Sequence, residues 1–433
     1  MTGPLLGVIA DDLTGACDLA GGVANAGLRT SVTLGVPTEP IPADVDCVVV
    51  ALKSRTVEPA VAVAESVAAA RFLRGVRVLY QKYCSTFDST DRGNIGPVAD
   101  ALVELSGLDA ISVGTPATPQ VGRTQYLGHL FVNGQLLSES SLRNHPLTPM
   151  TDPDLVRVLG RQTRHSVGLI DHAVVRRGAR AIVEAIAAER SVHLLVDATD
   201  DADLDQVAAA ILRLQRPVVV GGAAGLAVAL ARQSIAGSRH PVSQPVEPAA
   251  IEAGPRLIIS GSGSERTREQ VAAFRGPIVA VDPLELAADA STFAGLVKQL
   301  EEAVRRNAAD RSDAVATSPT VLLSATASPE DVRRVQDELG TEKAAALVED
   351  ALARLAVLAV DELGVRRMIV AGGETSGAVA AALGASTLHI GALAAPGVPW
   401  TVASVRGRPV ALLLKSGNFG APDLFTTAWK TAP

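Results

Sequence analysis

Short apolar runs, each closed by a glycine-containing turn and followed by an Ala-rich stretch with helical spacing, recur along the chain. In the first half they predict strands at LLGVIA (5–10), TSVTLG (30–35), CVVVAL (47–52), RVLYQKY (77–83), AISVGT (110–115), VHLLVDA (192–198) and PVVVG (217–221). Helical patterns lie between several of them, as in EPAVAVAESVAAARFL (58–73) and DLDQVAAAILRL (203–214). Near-continuous apolar strands alternating with helices predict parallel sheets buried on both faces. Residues 116–176 lack the rhythm and read as irregular, with NHPLTPMTDPD (144–154) as a Pro-punctuated loop.

The rhythm stops at 236–255, AGSRHPVSQPVEPAAIEAGP, which is rich in Pro, Ser and Glu and has no apolar period. That composition suits a linker. Beyond it strands are predicted at RLIISG (256–261), PIVAVD (277–282), TVLLSA (320–325), MIVAGG (368–373) and PVALLL (409–414). Helices are expected from about Glu265, near 295–307, over 342–363 as a core element, and from about Thr375. The expected architecture is α/β in two domains, each with a mostly parallel sheet flanked by helices, and with the active site in the cleft between them.

Composition narrows the classes of partner. The chain has 433 residues, too many for one ordinary core. A net charge of −7 and 3% aromatic residues argue against nucleic acid, which calls for a basic surface and stacking platforms. No apolar run approaches membrane-span length, and MTGPLLGVIADD lacks the basic start of a signal peptide. The three cysteines, Cys17, Cys47 and Cys84, form no CxxC, which suits a reducing compartment. A cytoplasmic protein with no membrane partner is the expectation.

The chemistry-bearing residues cluster in turns after predicted strands, the edge where α/β sheets bind ligands. In the first half these are Asp11 and Asp12, the KSR turn (53–55), QKYCSTFDSTDRGNIG (81–96) and TPATPQVGRT (115–124). Lys53, Arg55, Lys82, Arg92 and Arg123 supply cations for a small carboxylate-bearing substrate, which arginine grips bidentately. Ser85, Asp88 and Ser89 would read sugar hydroxyls. In the second half, SGSGSER (260–266), GGETSGA (372–378) and KSGNFG (415–420) follow strands. Glycines there let backbone N–H groups approach phosphate oxygens at helix N-termini. No GxxxxGK[ST] and no GxGxxG after the first strand occur, so neither a P-loop nor a dinucleotide fold is read. GGAAGLA (221–227) reads better as close helix–sheet packing than as a cofactor turn. Cys84 reads as a loop-packing thiol, and His145 as a turn residue that could touch substrate. One half thus suits a polar acidic metabolite and the other a nucleotide, the anatomy of a small-molecule kinase.

IADDLTGACD, LKSRT, the DST-x-RGNIG segment, GGETSG and KSGNFG together resemble the four-carbon acid sugar kinase family along nearly the full length. KYCSTFDST, TPATPQVGRT and NHPLTPM resemble its 3-oxo-tetronate branch. The resemblance implies an acid-sugar-binding domain over 1–235, a linker over 236–255 and an ATP-binding domain over 256–433. It implies ATP-dependent phosphorylation of O4 of 3-oxo-tetronate, with a D-threonate or D-erythronate kinase as the near alternative. A non-catalytic sugar-acid sensor is the alternative from another class.

By position, Asp12, Arg55 and Lys82, Tyr83, Cys84 and Ser85 match the family's substrate contacts, with Arg92 and Arg123 as further cations. Ser260 or Ser262, Gly372, Gly373, Glu374, Thr375 and Gly417 match its ATP contacts, joined by Lys415 and Asn418 of the same turn. Asp12 is the preferred group to orient the accepting hydroxyl, with Asp11 capping the following helix or holding Mg²⁺ through water. Asp88 is the alternative base. Transition-state charge would be met by Mg²⁺, the GGET backbone and Lys415. A two-fold homodimer is the expected assembly.

Overall fold

The computed structural model describes residues 3–37, 45–144, 148–236, 251–289, 291–309 and 320–433. The chain divides into two compact units, Met1–Pro245 and Val246–Pro433. Most of the predicted linker, 237–250, lies outside the described residues, as does His145.

The first unit holds strands β1 (Leu6–Ala10), β2 (Thr30–Leu34), β3 (Cys47–Ala51), β4 (Val78–Lys82), β5 (Ile111–Thr115), β6 (Arg123–Tyr126), β7 (His129–Val132), β8 (Gln135–Leu136), β9 (Val167–Ile170), β10 (His193–Val196) and β11 (Val218–Gly222). Eight of them run parallel in the order β2-β3-β1-β4-β11-β5-β10-β9. Every residue of β1, β3 and β5 is buried, which is why these strands read as unbroken apolar runs. Ile9, Val48 and Val50 pack on the helices Pro59–Phe72 and Ile95–Ser106. The helix Leu13–Asn25 packs instead with Ala224–Ala236.

The register aligns the carboxyl ends. Ala10 is level with Ala51 and Lys82, Lys82 with Gly222, and Gly222 with Thr115. The residues that follow therefore emerge side by side across β3, β1, β4, β11 and β5. Loops with no proximity in sequence meet there because the sheet is in step.

The expectation of irregular structure over 116–176 is corrected: β6, β7 and β8 form a separate antiparallel sheet, and β9 joins the main one. The strands are short and only partly buried, so their apolar signal is weak. Asp197, fully buried after β10, binds this sheet down by accepting from Gln125 Nε2 and from the Leu127, Gly128 and His172 backbone amides.

The second unit contains β12 (Arg256–Ser260), β13 (Ile278–Ala280), β14 (Thr320–Ser324), β15 (Arg367–Ala371), β16 (Thr387–Ala395), β17 (Val398–Val405) and β18 (Arg408–Lys415). The order is β13-β14-β12-β15-β18-β17-β16. The first five are parallel, and β17 and β16 are antiparallel. The β16–β17 hairpin has no counterpart among the predicted strands. Its first strand is mostly only partly buried and is broken by bulges, and its GALAA run is built mostly of Gly and Ala and lacks the β-branched residues of the buried strands. Here too the carboxyl ends are level: Ser324 with Ser260, Ser260 with Ala371, and Ala371 with Lys415. Among the described residues no helix is long and apolar enough to cross a membrane.

Candidate functional site

Two clusters form, one at the carboxyl edge of each sheet. In the first unit, Asp11 and Asp12 emerge from β1 beside the KSR turn, whose Ser54 and Arg55 amides donate to the Asp11 carbonyl. Arg55 forks onto Asp11, Nε to Oδ2 at 2.9 Å and Nη2 to Oδ1 at 2.8 Å, and Nη2 also reaches Asp12 Oδ1 at 2.7 Å. Asp12 has extended backbone and caps the helix Leu13–Asn25, accepting from the Gly15 amide at 3.0 Å and from the Thr14 hydroxyl at 2.6 Å. The cap expected of Asp11 is therefore made by Asp12, because Asp12 precedes the first helical residue. Burial pulls the Asp12 carboxyl upward, but Arg55, Lys82, Thr14 and Gly15 outweigh it and leave the group below its ordinary value. Arg55, expected to grip substrate, spends its fork on these acids.

Lys82 ends β4 with 3% of its surface exposed, and its ammonium donates to the Tyr83 carbonyl. Beyond it, Tyr83 packs edge-on against Phe87 in the core, so its ring is structural. Ser85 is buried. The half-buried Cys84 contacts the Thr86 hydroxyl, which donates to Asp88 at 3.2 Å. Burial and Asp88 push the Cys84 thiol up, against the opposing pull of Arg55. Asn94 pins the KSR turn by donating to the Ser54 and Val57 carbonyls, and its own Oδ1 is buried without a partner. A pocket opens among Asp11, Arg55, Lys82, Asp88, Ser89 and Asn94. Ser89 is engaged by Gln162 Nε2 at 2.7 Å.

Arg123, at the start of β6, donates through Nη1 to the Val121 carbonyl and lies within the electrostatic reach of Cys84, Asp18 and Asp88, and its buried Nε has no partner. Burial lowers its affinity for its proton. Arg92 is exposed on its turn and makes no side-chain contact with the cluster among the described residues, and Lys53 is exposed as well.

Sequence reasoning assigned no role to Asp18. It lies on the helix Leu13–Asn25, and burial together with Asp12 pushes its carboxyl up to about 6 against Lys82 and Arg123. The signal was the spacing Asp12–Gly15–Asp18, three residues apart on one helix face.

In the second unit three turns converge. Gly372, with φ 125°, sits where an L side chain is strained, and its amide donates to the Lys415 carbonyl. It opens the helix Gly373–Ala382, whose first amides have no helical acceptor, the arrangement that suits phosphate. Gly417 packs so closely on the SGSGS turn that a Cβ would collide with Ser262 Oγ and come within 2.8 Å of Ser264 Oγ. Ser264 caps the helix Glu265–Ala273, and the half-buried Ser262 donates to it at 3.2 Å. Ser260 is fully buried, its hydroxyl 2.5 Å from Thr326 Oγ1, which leaves Ser262 at the rim. Glu374 and Asn418 are exposed and Thr375 is buried.

Lys415 departs from expectation. Its side chain is 0% exposed, and its ammonium donates to Thr267 Oγ1 (3.0 Å), Gln270 Oε1 (2.7 Å) and the Gly417 carbonyl (3.0 Å). With three protein acceptors for three hydrogens, it ties the loop down and has nothing left for a phosphate. Burial, with Arg266 nearby, lowers it to about 7. The GGAAGLA glycines serve packing: a Cβ on Gly222 would lie 2.5 Å from the Tyr80 hydroxyl.

Comparison with known proteins parallels this division. Residues 6–230 match a sugar-binding N-terminal domain model and residues 257–425 a nucleotide-binding C-terminal domain model. The chain is 47% identical to a 3-oxo-tetronate kinase of Cupriavidus necator, covering 98% of this chain and 96% of that one. It is 46% identical to one of Burkholderia multivorans, again covering 98% and 96%. Among solved structures, a Haemophilus influenzae protein aligns with TM-score 0.72 and 37% identity over 98% of this chain and 99% of its own. The chain belongs to the four-carbon acid sugar kinase family.

Proposed function

We propose that the protein is a kinase that transfers the γ-phosphoryl group of ATP to the O4 hydroxyl of 3-oxo-tetronate. The observation that carries this is the 46–47% identity, over 98% of the chain, to proteins named 3-oxo-tetronate kinase. The geometry supports it from both ends. We assign sugar-acid binding to 1–235 and ATP binding to 256–433, with 236–255 as the linker.

On the sugar side, Lys82 and Arg123 are the cations with donors to spare and would hold the substrate carboxylate. Asp11, Asp12 and Arg55 form the rigid floor, and Asp88 and Asn94 offer acceptors to hydroxyls. On the nucleotide side, the first amides of the Gly373–Ala382 helix and the Ser262 hydroxyl would meet phosphate oxygens, with Gly372 and Gly417 allowing the approach.

Among the described residues no three His, Cys, Asp or Glu side chains gather to hold a metal by themselves. This suits a Mg²⁺ that enters as MgATP, bound mainly through phosphate oxygens and offsetting their charge during transfer. We assign no residue to it.

A coupled ADP-release assay with MgATP against 3-oxo-tetronate, D-threonate, L-threonate and D-erythronate tests the reading. Turnover confined to the oxo acid is expected. Turnover with a plain tetronate alone would overturn the substrate, and ATP consumption with none of the four would overturn the kinase reading.

A further inference from the structure

We propose that Asp18 is the catalytic base, the carboxylate that takes the O4 proton as the phosphoryl group transfers. This rests on the kinase reading above and names the residue that reading leaves open.

The neighbouring acids are already committed. Both oxygens of Asp11 accept from Arg55, and Asp12 accepts from Arg55, Gly15 and Thr14. Neither oxygen of Asp11 is left free, and the partners of Asp12 hold its carboxyl below the ordinary value, so it accepts a proton reluctantly. Asp88 already takes the Thr86 hydroxyl. Asp18 differs: among the described residues no hydrogen bond or ion pair reaches its carboxyl, although it is half-buried.

Asp18 follows Gly15 by one helical step of three, on the face that meets the Lys82 ammonium; a Cβ on Gly15 would lie 2.7 Å from Lys82 Nζ. The charged and titratable groups around it are Lys82 from the end of β4, Arg123 from the start of β6, and Asp12 and Cys17 from its own segment. Lys82 and Arg123 are the two cations assigned above to the substrate carboxylate. An unengaged carboxylate on the helix face beside Lys82, within the electrostatic reach of both cations, would meet a hydroxyl of the same small molecule. Its ionisation at about 6 suits the task, since it is charged at neutral pH yet more basic than Asp12.

In the step, the O4–H bond breaks and its proton passes to an Asp18 oxygen. O4 bonds to the γ-phosphorus, and the bond from that phosphorus to the bridging oxygen breaks, its electron pair leaving with ADP. Asp18 then returns the proton to water.

The test is steady-state kinetics of the full chain with 3-oxo-tetronate and MgATP. Asp18→Asn should lower kcat by about 100-fold or more while both KM values stay within a few-fold. Asp18→Glu should recover part of the loss. The wild-type kcat should fall on an acid limb near 6, and that limb should be absent from the residual activity of Asp18→Asn. Near-wild-type kcat in Asp18→Asn, or an acid limb unchanged by it, would overturn the assignment. Should Asp18→Asn fail to fold by circular dichroism, the wild-type profile decides: a limb near 6 supports the assignment and its absence overturns it. A wild type with no turnover on the oxo acid defeats the kinase reading itself, a failure distinct from these.

Discussion

Lys415 sets up a stability experiment whose size follows from its burial. The ammonium is fully enclosed with three neutral acceptors and no acid, and it is lowered from 10.5 to about 7. In the unfolded chain the same lysine keeps its proton up to its ordinary value. Below pH 7 both states are charged and the cost of burying the charge is constant. Between 7 and 10.5 the folded state releases the proton while the unfolded state holds it, so stability rises with pH. The slope approaches about 1.4 kcal/mol per pH unit, and the gain from pH 7 to pH 9 is about 2 kcal/mol.

Lys415→Met removes this term, so the wild type should gain about that amount relative to the variant over the same interval. The chain's two tryptophans, Trp400 and Trp429, both lie in the second unit with ring centroids 5.5 Å apart. Their fluorescence in urea therefore reports the unfolding of that unit. Titrations of both proteins at pH 7 and pH 9 give the double difference, in which the other groups cancel. A difference that is the same at both pH values would refute the reasoning and mean that the three acceptors hold the proton unaided.

Arg55→Ala should destabilise the protein by about 2–3 kcal/mol, because it leaves two largely buried carboxylates without their shared partner, and Arg55→Lys should recover only part; urea unfolding measures both. Gly417→Ala should raise KM for ATP several-fold with little change in KM for the sugar acid, since the new methyl displaces the Ser262 and Ser264 hydroxyls. An equal effect on both KM values would count against the division of labour. In the native protein a thiol reagent should label Cys84 alone and sugar acid should slow it, because Cys17 and Cys47 are fully buried while Cys84 is only half-buried beside the pocket residue Asp88.

The parallel strands were legible because burial on both faces writes them as apolar runs, and the turns after them carried the candidate chemistry. The short antiparallel strands β6 to β8 leave no such run, and the Gly- and Ala-rich run of β16 lacks β-branched residues. For the site, sequence brought the right loops to one edge but could not assign the work within them. Two adjacent aspartates look interchangeable until backbone geometry shows that Asp12 is the cap. Lys415 looked like a phosphate ligand because its turn is rich in glycine; only the meeting of Thr267, Gln270 and Gly417 around it, from segments about 150 residues apart, reveals a tether. Asp18 was passed over for the opposite reason. Its three-residue spacing from Gly15 marks a helix face but no role, and the cations that act on its carboxyl, Lys82 and Arg123, arrive from other strands.

The most direct test of the account is the product of the reaction followed by phosphorus NMR with MgATP and 3-oxo-tetronate. Phosphorylation at O4 predicts ADP together with a phosphomonoester signal split by two methylene protons. A signal split by a single methine proton, or ATP left intact, would contradict it.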